Sequence, residues 1–289
     1  MRRARRKRPA SVPRRLPAPP LLLALLSVLA LTPEASFGQV TDLVDRSALR
    51  VCADPANMPF SNDKGEGFEN KIAELLANKL GVPVVYTWFP QAIGFVRNTL
   101  GARKCDVIIG FPQGDELVQN TNAYYRSAYV LVTRADSPLA DVETLEDPRL
   151  HGKSIGVIAR TPPATSMAAN GLLSTAKPFQ LVVDRRYASP AEEMVAAITR
   201  GDLDAGALWG PVGGYYAKHS PVPLSVVTLT KETKGPRMAF RITMGIRSGE
   251  PDWKHRLNEL IAANQPAINA ILLDFGVPIL TENEQRIRQ

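Results

Sequence analysis

Residues 48–81 read ALRVCADPANMPFSNDKGEGFENKIAELLANKLG. The first seven, Ala48–Asp54, form an apolar run that reads as a buried strand, and it stops at Pro55, which has no N–H to continue a ladder. From Phe68 the period changes. Phe68, Ile72, Leu75, Leu76 and Leu80 fall on one helical stripe, and Gly81 marks the stop. A strand, a proline-containing loop and an amphipathic helix open an α/β fold, with CADPANMPFS (Cys52–Ser61) emptying from the carboxyl end of the strand.

The alternation continues along the chain. Strands are expected at Val82–Phe89 (VPVVYTWF), Asp106–Gly110 (DVIIG) and Tyr129–Thr133 (YVLVT), with a short helix through Phe95 and Leu100. The pattern restarts with strands at Lys153–Ile158 (KSIGVI) and Gln180–Asp184 (QLVVD). Ser189-Pro190-Ala191-Glu192 is a helix start, with Ser as cap, Pro at the first helical position and Glu placed to reach back. That helix runs to Gly201 and delivers the chain to a strand at Asp204–Trp209 (DAGALW). A late strand at Arg241–Arg247 and two helices, opening at Pro251 and Pro266, close the pattern. Strand–helix–strand order predicts parallel sheets with right-handed crossovers.

The first residues differ from the rest. MRRARRKRPASVPRR is basic without an acid, LLLALLSVLAL spans Leu21–Leu31, and small residues stand at Ser36 and Gly38. A basic start, a short apolar run and a small-residue cleavage site predict a Sec-type secretory signal peptide over residues 1–38, cut near Gly38. The apolar run falls short of the roughly 20 residues a membrane span needs. Export to the periplasm follows, with no stable membrane association after cleavage. The 289-residue chain carries +7, from 35 basic and 28 acidic residues. Without eight basic residues and Glu34 of the leader, 27 of each sign remain, so the excess charge belongs to the leader. No basic surface remains to favour nucleic acid.

Composition narrows the chemistry. Two cysteines, Cys52 and Cys105, in an exported chain read as one disulfide, or else as two buried thiols. His151, His219 and His255 lie far apart with no carboxylate or cysteine at ligand spacing, so no metal site is expected. The chain contains neither G-x-S-x-G nor H-E-x-x-H, and no cofactor or catalytic residue is assigned. GEGFEN lacks the third glycine of a dinucleotide loop, and Glu66 and Glu69 would repel phosphate.

Ligands of open α/β sheets bind beyond the carboxyl ends of the strands. Four loops leave such ends here: Pro55–Ser61, Phe111-Pro112-Gln113-Gly114, Arg160-Thr161-Pro162-Pro163 and Trp209-Gly210-Pro211. If two lobes face each other, these loops converge on one cleft. Its expected lining is Asn57, Met58, Phe60, Ser61, Glu69, Phe111, Gln113, Arg160, Thr161, Trp209 and Tyr215, with Tyr216 nearby.

The runs ALRVCADPANMPFSNDKGEGFENKIAELLANKLG, DVIIG, AYYRSAYVLVTR and LEDPRLHGKSIGVI resemble the periplasmic solute-binding proteins of amino-acid ABC transporters (family 3). CDVIIGFPQGDELVQNTNAYYRSAYVLV is similar to the branch associated with quinoprotein (pyrroloquinoline quinone, PQQ) methanol dehydrogenases, the MxaJ/XoxJ type. The resemblance implies an α/β, type II periplasmic binding protein fold: two α/β lobes, a hinge and an interlobe cleft. The lobes would be residues 39–132 with 243–289, and 133–242, with crossings near Val130–Arg134 and Arg241–Ile246. It also implies a non-catalytic accessory that binds the dehydrogenase or its folding intermediate, with a small hydrophobic ligand as a further guest. The alternative is the receptor of an ABC transporter for a small polar or aromatic metabolite. The family's carboxylate-clamping arginine after the third strand is missing from FPQGDELVQNT, leaving Arg160 as the nearby cation. Trp209 and Gly210 stand where the ammonium-binding aspartate is usual. A buried zwitterion without both partners loses several kcal/mol in desolvation, so amino-acid capture is not expected.

Overall fold

The computed structural model describes residues 43–287; the leader expected over residues 1–38 lies outside them. The elements run β1 (Leu49–Ala53), β2 (Ala56–Asn57), β3 (Ser61–Asn62), α1 (Phe68–Leu80), β4 (Val84–Trp88), α2 (Phe95–Asn98), β5 (Ile108–Pro112), β6 (Gln119–Asn120) and β7 (Tyr125–Arg134). They continue with β8 (Ile155–Ile158), α3 (Pro162–Ala169), β9 (Ala176–Phe179), α4 (Pro190–Arg200), β10 (Ala205–Trp209), α5 (Gly210–Lys218), β11 (Leu224–Thr228), β12 (Ala239–Ile246) and α6 (Pro251–Asp274).

β1, α1 and β4 form the expected unit: β1 and β4 pair in parallel from Leu49–Val84 to Ala53–Trp88. α1 starts where the Asn70 side chain accepts from the N–H groups of Gly67 and Asn62. The N–H groups of Phe68 and Glu69 donate to the carbonyls of Pro59 and Phe60, so the helix is tied to the loop that feeds it. Phe68, Ile72 and Leu76 are buried from its apolar stripe, while Leu75 and Leu80 pack at the edge of the same core. A disulfide joins Cys52 to Cys105, with 5.5 Å between the Cα atoms, and staples β1 to the segment entering β5.

The sheets are mixed rather than parallel, and β7 is the reason. Its first residues, Tyr125–Ala128, pair antiparallel with β12. Its remainder pairs antiparallel with β10 on one side and β11 on the other. The changeover falls at Tyr129, whose N–H donates to Met238 and whose carbonyl accepts from Leu229. One strand therefore belongs to both lobes, and a strand that leaves one lobe and enters the other runs against its neighbours. Parallel pairing survives where crossovers stay within a lobe, as in β8 with β9 and with β10. One core gathers α1, α6 and the strands β1, β5 and β12; two others cover the faces of the sheet formed by β7, β8 and β10.

Three local expectations are corrected. Gln180–Asp184 is not a strand; β9 lies just before it, because the sheet edge on β8 is filled from Ala176 to Phe179 and the chain then leaves the sheet. α6 is one continuous helix through Pro266 rather than two. Pro266 removes one backbone bond, but Trp253, Leu257, Leu260, Ile261, Ile268 and Leu272 stay on one buried stripe across it. Gln265 also donates to Tyr124 O and to Asn269 Oδ1, which holds the helix at that point. The Ser189 side chain does not cap α4; its hydroxyl meets Tyr216 Oη at 3.1 Å instead.

The C-terminal segment passes behind the crossing strands. Ser127 Oγ donates to Pro278 O, Leu280 N–H donates to Arg126 O, and Leu280 packs against Ala128 and Ala239. Arg126 pairs with Glu284, Arg241 with Glu282, and Arg286 Nη1 donates to Val226 O of β11.

Candidate interlobe cleft

The strand ends and crossing strands enclose a cavity of about 730 Å³. From the expected set, Asn57, Met58, Phe60, Glu69, Phe111, Thr161 and Trp209 line it. Ser61, Gln113, Arg160 and Tyr215 do not. Ser61 is buried beneath the loop and donates to Asp54 O at 2.8 Å. Gln113 is exposed and its N–H donates to Arg241 O. Arg160 is exposed on the turn after β8, with a left-handed φ of 65° that carries it away from the lining. Tyr215 stacks on Phe275, with 6.0 Å between ring centroids, on the side of α5 away from the cavity.

Tyr216, expected nearby, also lines the cavity, and residues not anticipated complete the wall: Tyr125, Tyr129, Arg185 and Phe240. Tyr125 and Tyr129 are an even number of positions apart on β7, so they share a face; that alternation in YYRSAY was the available signal. Phe240 reaches the cavity because its strand pairs it opposite Ser127, between those two tyrosines. Nothing local marks Arg185, in a charged run that reads as solvated. The cations at the cleft are Arg185 and Lys64 rather than Arg160.

The floor is aromatic. Tyr129, Trp209 and Phe240 meet edge to face, with centroids 5.2 Å apart for Tyr129–Trp209 and 5.9 Å for Trp209–Phe240. Such packing adds about 0.5–1.5 kcal/mol per pair beyond area burial. Burial pushes the Tyr129 hydroxyl up to about 12 and raises Tyr125 too, so both stay neutral.

The acids have distinct settings. The Asp54 carboxylate accepts from Ala56 N–H at 2.9 Å and Gln91 N–H at 2.7 Å, an anchored strand-end acid. Glu69 lies on the cavity floor, and among the described residues its carboxyl receives no hydrogen bond. Burial first, and the charge of Asp54 second, push it up to about 8. It fits because residue 110 is glycine: a Cβ there would overlap Glu69 Oε1. Burial pulls the Arg185 guanidinium below its usual range, partly offset by Asp54 and Tyr216. No group of three His, Cys, Asp or Glu able to hold a metal occurs among the described residues. No helix among them is long and apolar enough to cross a membrane.

The profile of bacterial extracellular solute-binding proteins, family 3, matches residues 49–267. The chain is 31% identical over 250 residues to Protein MoxJ of Methylorubrum extorquens, covering 82% of this chain and 83% of that protein. Among solved structures, it is similar to periplasmic binding protein XoxJ from Methylobacterium extorquens AM1, at 43% identity and TM-score 0.70, covering 81% of this chain and all of that one (100%). It is also similar to MxaJ from Methlophaga aminisulfidivorans MPT, at 28% identity and TM-score 0.69, covering 80% and 100%.

Proposed function

The chain belongs to the bacterial extracellular solute-binding proteins, family 3, and from that premise we propose that it is a non-catalytic periplasmic accessory of PQQ-dependent methanol dehydrogenase. It acts in maturation, activation or activity of that enzyme during methanol oxidation, binding the enzyme or its folding intermediate through the cleft and its lips. The likeness to MoxJ, XoxJ and MxaJ supports this reading over an amino-acid receptor. Its leader, residues 1–38, is removed on export. The lobes are close to the expected 39–132 with 243–289 and 133–242, with the hinge taken a few residues earlier, where β7 changes partners at Tyr129 and where the chain returns at Met238–Ala239.

The observation that carries the reading is exposed apolar surface on segments that supply cleft-lining residues. Leu181 lines the cavity and is 46% exposed; Val182 (62%) and Tyr187 (84%) flank the lining residues Val183, Arg185 and Ala188, and Ile93 (96%) stands two positions after the lining residue Gln91. Exposed apolar groups clustered round a cleft mark an interaction surface. The mature chain is expected to co-purify with methanol dehydrogenase, in its calcium or its lanthanide form. Val182→Glu with Tyr187→Glu is expected to weaken capture at least about tenfold, equivalent to about 1.4 kcal/mol. Failure to capture either form, together with stabilisation by a transported metabolite, would establish the transporter-receptor alternative.

A further inference from the structure

Four helices begin at the cleft, and each offers it fewer N–H donors than a full helix start has. In α1 the N–H groups of Phe68 and Glu69 are taken by Pro59 O and Phe60 O. α3 opens with Pro162 and Pro163, two positions without an N–H, and the Thr161 hydroxyl turns back to Ile158 O at 2.6 Å. α4 opens with Pro190 and carries Glu192 and Glu193 in its first turn. α5 opens with Gly210 and Pro211. Helix starts ordinarily attract anions; here prolines, internal acceptors and acids reduce that attraction, least at α5, where Pro211 alone does so. The floor instead carries a carboxyl, Glu69, that receives no hydrogen bond among the described residues, in the same cavity as Tyr125, Tyr129, Trp209 and Phe240.

We propose that the cleft seats an organic cation lacking a carboxylate, a quaternary ammonium or an amine, against Glu69 and walled by Tyr125, Tyr129, Trp209 and Phe240. This rests on the cleft being the binding site of the accessory. Aromatic rings attract cations through their quadrupoles, more strongly where water is displaced. A carboxylate on the same guest would meet weakened helix starts and the like charges of Glu192 and of ionised Glu69 in the same lining. Among the described residues neither Arg185 nor Lys64 pairs with Glu69, and the acid that acts on Arg185 is Asp54.

Binding is coupled to a proton. The groups facing Glu69 are Asp54 at the end of β1, Tyr86 on β4, and Tyr124 and Tyr125 at the start of β7. Burial keeps the tyrosines neutral, so the titrating member is Glu69, protonated at pH 7 in the empty cleft. A seated cation favours the ionised carboxylate, so its affinity rises as pH rises toward 8.

Calorimetry of the mature chain tests this with benzyltrimethylammonium chloride, against benzoate, the neutral 3,3-dimethyl-1-butanol and matched sodium chloride. The cation is expected to bind and to tighten about 25-fold between pH 6.5 and 8.5, by the ionised fraction of a group with pKa about 8. Glu69→Gln is expected to abolish that pH dependence, and Trp209→Leu to weaken binding at both pH values. Stronger binding of benzoate, equal binding of the neutral alcohol, or no heat with the cation overturns the inference. If dehydrogenase capture persists in that case, the accessory reading stands and only the ligand class falls; loss of both overturns the cleft itself. Adding the cation to the captured complex identifies its source. Displacement of the dehydrogenase assigns the natural guest to a lysine or arginine side chain of that enzyme; co-binding assigns it to a free small molecule.

Discussion

Glu69 concentrates the tension in the cleft. Its carboxyl is raised from 4.5 to about 8 by burial and by Asp54. A carboxyl that binds its proton more tightly when folded contributes fully below pH 4.5, and that contribution is lost as pH rises through 8. Urea unfolding at pH 5 and pH 8 should therefore show a larger loss in the wild type than in Glu69→Gln, by on the order of 2 kcal/mol once solvent access is allowed for. Equal losses would remove Glu69 from the account. The sequence displayed this residue and hid its setting. GEGFEN places Glu69 in the first turn of a helix, where an acid ordinarily belongs; that the carboxyl lies over Gly110 depends on a partner strand about forty positions away. Arg160 shows the opposite failure: adjacency to a strand end made it a candidate, and one left-handed φ took it away.

Among the elements, periodicity revealed what local forces decide. α1, β1 and β4 lie within a few residues of their expected bounds because their apolar spacing and the stop at Gly81 are local. Pairing across lobes is not local, so the switch of β7 at Tyr129 and the mixed sheets it imposes were not visible. QLVVD has strand composition, yet the edge of β8 was already occupied. Pro266 looks like a helix start, but the buried stripe continuing to Leu272 outweighs one lost bond. An interior proline disfavours a helix by about 3 kcal/mol relative to alanine, so Pro266→Ala should stabilise the protein by about 1–3 kcal/mol in chemical denaturation. Destabilisation would mean that the break at Pro266 is needed by its contacts. Gly214 makes a contrasting case in α5. Propensity alone favours alanine there by about 1 kcal/mol, but a Cβ would overlap the carbonyl of Gly276. Gly214→Ala should destabilise by about 1–3 kcal/mol, and a stabilised variant would show that α5 and the C-terminal segment are not in close contact.

Across the molecule, two lobes are joined by strands that both share, stapled on one side by Cys52–Cys105 and backed by the segment from Pro278 to Arg286. The disulfide closes a separation of 53 residues, for which chain entropy gives about 4 kcal/mol. Replacing both cysteines by alanine should lower unfolding free energy by about 2–5 kcal/mol, with the transition midpoint as readout; an unchanged midpoint would show that the bridge does not constrain the unfolded chain. The proposed distinction from an amino-acid receptor is distributed over the cleft: helix starts short of donors, an aromatic floor, and a carboxyl with no hydrogen bond among the described residues where a zwitterion would need donors and acceptors together. Thermal unfolding of the mature chain against each of the twenty amino acids at millimolar concentration puts this to the test. A guest at 1,000 times its Kd adds about 4 kcal/mol; no such shift is expected with any of them, and a clear shift with one, abolished by substituting the cleft residues that hold its carboxylate, would show that the cleft is an amino-acid site.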